Sequence, residues 1–176
     1  MSESTKRHRA EAQKKLGFAI FTVSTSRYQQ MEKNERVNDA SGDLIVSILK
    51  KAGQTVAHRE LISDDETMIK NAVQCVLKTS EIDAAIFCGG TGITGSDVTI
   101  EKVQPLLEKV LPGFGEIFRQ LSYEQIGSAA LLSRAMAGVS KGKVFFCIPG
   151  SPDAVKLCFE RLILTEAGHI VKHARE

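Results

Sequence analysis

The chain has 176 residues, a length that suits one domain with its own apolar core and no need of disulfide or metal staples. Its net charge is only +2, of which +3 lies in the first fifteen residues (Lys6, Arg7, Arg9, Lys14 and Lys15 against Glu3 and Glu11) and −1 in the rest. That distribution, with two tyrosines and no tryptophan, argues against a nucleic-acid footprint spread over the domain.

Residues 1–15 read as a polar arm, mobile or laid on another subunit, ahead of a single domain over 16–176. The run LGFAIFTVS (16–24) predicts a buried strand. A long polar loop is expected over TSRYQQMEKNERVN (25–38). DASGDLIVSILKKAG (39–53) predicts a helix with Ser41 as its N-cap and Gly53 as its stop. TVAHRELI (55–62) predicts the second strand, and the helix after it carries Ser63 or Asp64 at its cap. IDAAIFCGG (82–90) predicts a third strand, apolar on both faces and therefore parallel to its neighbours. SDVTIEKVQPLLEKV (96–110) predicts a helix that Pro105 kinks or divides. Two helical segments parted near Gly127 are expected over residues 112–138, then a fourth strand, KVFFCIPG (143–150), and a last helix capped by Ser151 with Pro152 in its first turn. The alternation predicts an α/β fold: a three-layer sandwich, a mostly parallel sheet with helices on both faces.

The four cysteines, Cys75, Cys88, Cys147 and Cys158, form no Cys-x-x-Cys pair, and three lie in apolar runs or on a helical apolar face. They predict a reducing, cytoplasmic setting. No run approaches the roughly 20 apolar residues of a membrane helix, and a membrane role is not expected.

Ligands of open α/β sheets bind beyond the carboxyl ends of the strands. Those ends carry Ser24 to Arg27, then Asp64 and Asp65, then Gly89 to Gly92 with Asp97, then Pro149, Gly150, Ser151 and Asp153. Two glycine turns opening helices, with carboxylates between them, suit a phosphate-bearing ligand and a divalent metal. Singly, each serine or aspartate is explained by helix capping; their convergence on one edge is what carries the reading. Gly90 to Gly95 also matches the dinucleotide pattern G-x-G-x-x-G. That pattern needs an acid about 20 residues on, at the end of the next strand, whereas here the count reaches Glu116 in a helix. Asp97 just after the last glycine would also oppose a bare phosphate. His169 and His173 have the spacing of a helical metal pair but no third ligand nearby, and read as solvated surface. Nothing in the sequence lowers the pKa of Cys88, which reads as core.

GGTGITGSDVT (89–99), PGFGEIFRQLSYEQIGSAALLSRAMAGV (112–139) and IPGSPDAV (148–155) resemble the molybdopterin-binding family of molybdenum cofactor biosynthesis. The likeness is nearest to its MoaB branch, related to the Mog proteins and the gephyrin G domain. It covers roughly residues 16–170. The resemblance implies a molybdopterin adenylyltransferase, which uses Mg-ATP to place AMP on the molybdopterin phosphate and releases pyrophosphate; the product then receives molybdate or tungstate. It implies ATP and molybdopterin as substrates, Mg²⁺ held by the catalytic pair Asp64 and Asp97, and a homo-oligomer, trimer or hexamer, with contacts to other proteins of the pathway. Asp65 is the alternative to Asp64. By the same resemblance Gly89, Gly90, Thr91 and Gly92 form the nucleotide loop, with Thr99 behind it. Pro149, Gly150 and Ser151 form a second binding turn, Ser24, Ser41 and Gly42 match an amino-terminal motif, and Glu116, Ser122, Ser133 and Arg134 line or support the pocket. The chain keeps Asp97-Val98-Thr99, which favours a working enzyme over the alternative, a non-catalytic molybdopterin-binding scaffold. It lacks the family's Pro-x-x-Arg before the aspartate, having Ile93 to Ser96 instead, and has Ile100 in place of proline. Leu131-Leu132 and Phe114-Phe118 are candidate subunit contacts, with core packing the favoured use.

Overall fold

In a computed structural model, which describes residues 15–176, four apolar segments pair in parallel and set the architecture. These are β1 (Gly17–Val23), β2 (Thr55–Ile62), β3 (Ala84–Cys88) and β6 (Lys143–Ile148), in the order β2-β1-β3-β6. Two short strands, β4 (Lys109–Leu111) and β5 (Met136–Ser140), complete the sheet beyond β6 and run antiparallel. The expected sandwich with a mostly parallel sheet is therefore present. The expected arm lies, apart from Lys15, outside the described residues.

Alternate side chains explain why the central strands are apolar throughout. Phe18, Ile20, Ile86, Phe146 and Ile148 point into one core with Ile45, Leu49, Phe118 and Val155. Phe21, Phe87, Phe145 and Cys147 point into the other with Ile69, Val73, Val76 and Val103. A strand covered on both faces has no solvent side and hence no polar alternation. Edge strand β2 is covered on less of its surface, and of its eight residues only Ile62 is buried.

Helix α2 (Ala40–Lys51) covers the first face and α3 (Glu66–Lys78) the second. Their caps differ from expectation. Asp39, not Ser41, caps α2 by accepting from Gly42 N at 3.0 Å. Asp65, not Ser63 or Asp64, caps α3 by accepting from the N–H groups of Thr67 and Met68 at 2.8 and 3.0 Å. Both corrections release a residue for other work, Ser41 in one case and Asp64 in the other.

Three segments differ in kind. The expected loop after β1 contains helix α1 (Thr25–Glu32), which buries no residue and so has no apolar stripe to reveal it. The helix expected over 96–110 is only α4 (Thr99–Val103), followed by a 3₁₀ turn at Gln104–Leu106 and then β4. Pro105 lacks the N–H that would continue α4 and crowds the carbonyl four residues back. The region 112–138 is α5 (Pro112–Ile126), broken at Gly127 as expected, then a 3₁₀ segment (Gly127–Leu132), and then β5 rather than helix. Strands β5 and β6 form a hairpin with Ser140 paired to Lys143. Its two loop residues, Lys141 and Gly142, have φ of 49° and 73°, the signature of a type I′ turn. The last helix is α6 (Pro152–Cys158), capped by Ser151 as expected, continuing through a π turn (Phe159–Ile163) into α7 (Leu164–Ala174).

Candidate active site

Because β2, β1, β3 and β6 are parallel, their carboxyl ends form one row, in which Ile62 pairs with Val23, Thr22 with Cys88, and Cys88 with Ile148. The turns that leave this row are tied to one another. Ser24 N donates to Ile62 O at 2.9 Å, and Gly89 N to Ile148 O at 2.9 Å. Ser41 Oγ, buried at the start of α2, donates to Gly150 O at 2.6 Å. The buried first turn of α2 thereby anchors the turn that follows β6.

The loop after β3 requires its first two glycines. Gly89 has φ +109°, and a Cβ there would lie 2.4 Å from Val23 O. Gly90 has φ +61°, and its Cβ would lie 2.4 Å from Thr99 Oγ1. Side chains disfavour such φ values, and the close neighbours leave no room for one. Thr99 is fully buried. Its hydroxyl donates to Gly89 O at 2.8 Å and its N–H to Gly90 O at 2.9 Å. It thus holds the loop from behind rather than facing the cleft.

Asp97 closes the loop in front. Its Oδ2 accepts from Thr94 Oγ1 at 2.6 Å and from Thr94 N at 2.9 Å. The Thr94 hydroxyl above all, helped by the N–H groups of Thr94 and Gly92 and by the Arg134 charge, holds the Asp97 carboxyl below its ordinary pKa against the opposing effect of burial. The group is an anion of fixed direction.

Arg134, just before β5, binds this loop from the side. Its Nε donates to Thr91 O at 3.0 Å and Gly92 O at 2.9 Å, and Nη2 to Asp97 O at 3.3 Å. Nη1 pairs with Glu101 Oε1 at 2.5 Å, and this hydrogen bond holds the Glu101 carboxyl below its usual value.

A cleft of about 250 Å³ opens between these parts, lined by Gly89, Gly90, Thr91, Gly92, Asp97, Leu132, Ser133, Arg134, Pro149 and Gly150. A second cleft of about 270 Å³ shares Arg134 as a wall and contains Glu116, Arg119 and Gln104. The structure thus joins most of the expected residues around two adjoining clefts. Ser122 is buried inside α5 and lines neither. Ser151 caps α6, accepting from Ala154 N at 3.3 Å, and stands exposed at the cleft's border. Ser24 Oγ lies 3.4 Å from Ser26 Oγ, outside both clefts.

Asp64 is also outside both clefts. It follows β2, two strands from β3, and strands are spaced about 4.8 Å apart. Its Oδ1 accepts from the Thr25 hydroxyl, which lies 2.8 Å from Ser63 Oγ. Among the described residues no group of three or more His, Cys, Asp or Glu could hold a metal. This donor set fits Mg²⁺, which keeps several waters and takes one or two carboxylates plus substrate phosphates rather than an all-protein cage.

Thr94 was missed by the sequence reading, and Thr25 figured there only as one of the residues that follow β1. Thr94 lies three residues before an aspartate in a glycine-rich loop, a spacing suited to such a turn. Nothing in the sequence linked Thr25 to Asp64. Cys88 is confirmed as core: burial pushes its thiol up to about 12, which removes the thiolate needed for attack.

A family model described as a probable molybdopterin binding domain matches residues 19–169. The chain is 42% identical to the probable molybdopterin adenylyltransferase of Methanocaldococcus jannaschii, covering 93% of this chain and 96% of that protein. It is 42% identical to molybdenum cofactor biosynthesis protein B of Bacillus subtilis, covering 98% of each. The crystal structure of the tungsten cofactor synthesizing protein MoaB from Pyrococcus furiosus superimposes with a TM-score of 0.81 at 41% identity, covering 94% of this chain and all of that one. On the strength of the whole fold, the glycine loop and these matches, the chain belongs to the molybdopterin-binding family of molybdenum cofactor biosynthesis proteins, in its MoaB branch.

Proposed function

We propose that this chain is a molybdopterin adenylyltransferase, which joins AMP from ATP to the molybdopterin phosphate and releases pyrophosphate. The name of the Methanocaldococcus relative supports the activity. The observation that carries it is the meeting of the glycine loop, the Pro149-Gly150 turn and the ionised Asp97 around one cleft. An oxygen of the molybdopterin phosphate attacks the α-phosphorus of ATP. The bond from that phosphorus to the bridging oxygen breaks, and the electron pair leaves with pyrophosphate.

Such a transfer asks for positioning and charge compensation more than for covalent help from the protein. Gly89 to Gly92 let the phosphates approach the backbone, where a side chain would stand in the way. Arg134 holds the two carbonyls of that loop and keeps its shape. The exposed Ser151 hydroxyl at the start of α6, which accepts from Ala154 N, keeps its own O–H to donate to the attacking phosphate. Asp97 would hold Mg²⁺ at the cleft wall, and Asp64, from the end of β2, would hold it through water or bind a second ion. Bound there, Mg²⁺ offsets the charge of the phosphates and of the departing pyrophosphate.

Leu131 and Leu132, 82% and 59% exposed, overturn the expectation that they pack in the core, and we assign them to contacts between copies of the chain. Phe118 is buried and Phe114 packs on Phe146, so those two serve the core. A single domain over 16–176 and a cytoplasmic setting complete the proposal, supported by the extent of the family match and by the buried free thiols of Cys88, Cys147 and Cys158. No helix among the described residues is long and apolar enough to cross a membrane.

The test is to replace each carboxylate. Asp97→Asn and Asp64→Asn should each lower adenylyl transfer by about 100-fold or more, the scale of losing a group that stabilises the transition state, while molybdopterin still binds. Near-normal turnover in either variant would remove that residue from the metal assignment.

A further inference from the structure

Asp39 does more than cap α2. Its Oδ1 accepts from Gly42 N at 3.0 Å, and its Oδ2 accepts from the Thr22 hydroxyl at 3.0 Å and from Arg59 Nη2 at 2.8 Å. One carboxylate thus joins α2 to β1 and to the edge strand β2. Arg59 also pairs through Nη1 with Asp43 Oδ1 at 2.8 Å, so its guanidinium grips the first turn of α2 at two points. Gly42 leaves the space this needs. A Cβ there would lie 2.0 Å from Asp39 Oδ2 and 2.9 Å from Arg59 Nη2.

Capping alone does not explain this arrangement. Asparagine caps a helix about as well as aspartate. With its oxygen on Gly42 N, however, its amide would turn a donor toward the donors of Arg59. The negative charge is therefore matched to Arg59. The Asp39 side chain is only 14% exposed and Thr22 is buried, so solvent and salt screen the pair less than an exposed one. What the charge fixes lies two residues on. Ser41, buried on the same turn, donates to Gly150 O at 2.6 Å. Gly150 in turn is seated on the glycine loop, for a Cβ on it would lie 3.3 Å from Gly89 Cα. Contacts run unbroken from Arg59 through Asp39 and Ser41 to the turn and loop that face the cleft.

We propose that Asp39, held by Arg59, is a positioning residue for that cleft: it fixes the first turn of α2 so that Ser41 holds the Pro149-Gly150 turn where the ligand phosphate binds. The proposal rests on the reading of this turn as part of the seat of the molybdopterin phosphate. Neither Asp39 nor Arg59 lines either cleft, and both act through Ser41. Loss of the ion pair frees the first turn of α2, lets the turn after β6 shift, and weakens the hold on the phosphate.

The test uses the full chain, with molybdopterin binding read by titration without ATP. Arg59→Met, at a partly exposed position on the edge strand where folding is not at stake, should raise the Kd for molybdopterin at least about fivefold, the scale of one lost charge-assisted bond. Arg59→Lys should restore part of the affinity. Asp39→Asn should act as Arg59→Met does, and combined with Ser41→Ala it should weaken binding no further than Ser41→Ala alone, because both act through one hydrogen bond. Amide hydrogen exchange of the ligand-free chain gives a second reading: Arg59→Met should speed exchange over residues 149–151 and leave β3 as it was. An unchanged Kd in Arg59→Met, unchanged exchange over 149–151, or additive effects of Asp39→Asn and Ser41→Ala would overturn the proposal and leave Asp39 as a cap alone. Affinity and exchange are read without turnover, so failure of the adenylyltransferase reading shows separately, as molybdopterin bound with no pyrophosphate released. If the parent chain binds no molybdopterin, that reading of the site fails and exchange alone decides the positioning role.

Discussion

Arg134 Nε and Gly92 O are 2.9 Å apart across 42 positions of sequence. A guanidinium from the start of β5 thus sets the shape of the loop after β3. The loop has no arginine of its own, and Arg134 brings the nearest fixed positive charge to its backbone. Arg134→Ala removes three bonds to backbone carbonyls and leaves Glu101 without its partner. Charge-assisted bonds contribute about 1.5–3 kcal/mol each when lost singly, so a fall in kcat/KM of at least tenfold is expected, read by steady-state kinetics with ATP varied. Arg134→Lys should recover only part of this, since an ammonium cannot reproduce the planar fork.

Ser41→Ala tests whether the first turn of α2 positions the turn after β6. Gly150 O, half-buried at the cleft, would lose its donor, at a cost toward the lower end of about 1–3 kcal/mol because water can reach it. A lower thermal midpoint and a raised KM for molybdopterin are expected. A stability loss with unchanged KM would confine the bond to a structural role.

Gly90→Ala should cost at least about 1–2 kcal/mol from the positive φ alone, and more from the contact with Thr99. Denaturant unfolding reads this directly. Thr99→Val combined with Gly90→Ala should not add up, because the two changes share one contact.

Asp97 also makes a pH prediction. Its folded pKa is depressed, so its contribution to stability is present above the unfolded value, about 3.9, and is lost as pH falls through the folded one. Thr94→Val removes the hydroxyl that does most of this. The Asp97 pKa should rise, and the acid limb of the pH–rate profile should move to higher pH with it. An unmoved limb would show that another group controls it.

The parts of the fold legible in the sequence were those with two-sided burial. β1, β3 and β6 are runs of apolar residues because both faces are covered, and their parallel direction followed; their order across the sheet did not. β4 and β5 were hidden for local reasons. β4 has three residues, and β5 (Met136–Ser140) was taken into a helical reading of the preceding segment, although the Lys141-Gly142 dipeptide marks its hairpin. α1 was hidden because it buries nothing. At the site, the glycines and Asp97 declared themselves by spacing. That Asp65 rather than Asp64 caps α3 rests on hydrogen bonds that no spacing reveals, and Arg134's grip on the loop depends on a contact between residues 42 positions apart.

The central claim is tested most directly by following pyrophosphate release from Mg-ATP with the full chain, with and without added molybdopterin. The account predicts release that depends on molybdopterin, saturates with it and yields one adenylylated molybdopterin per pyrophosphate. Release no greater than background at saturating molybdopterin, with molybdopterin bound, would contradict it and identify the chain as a binding protein on the same fold.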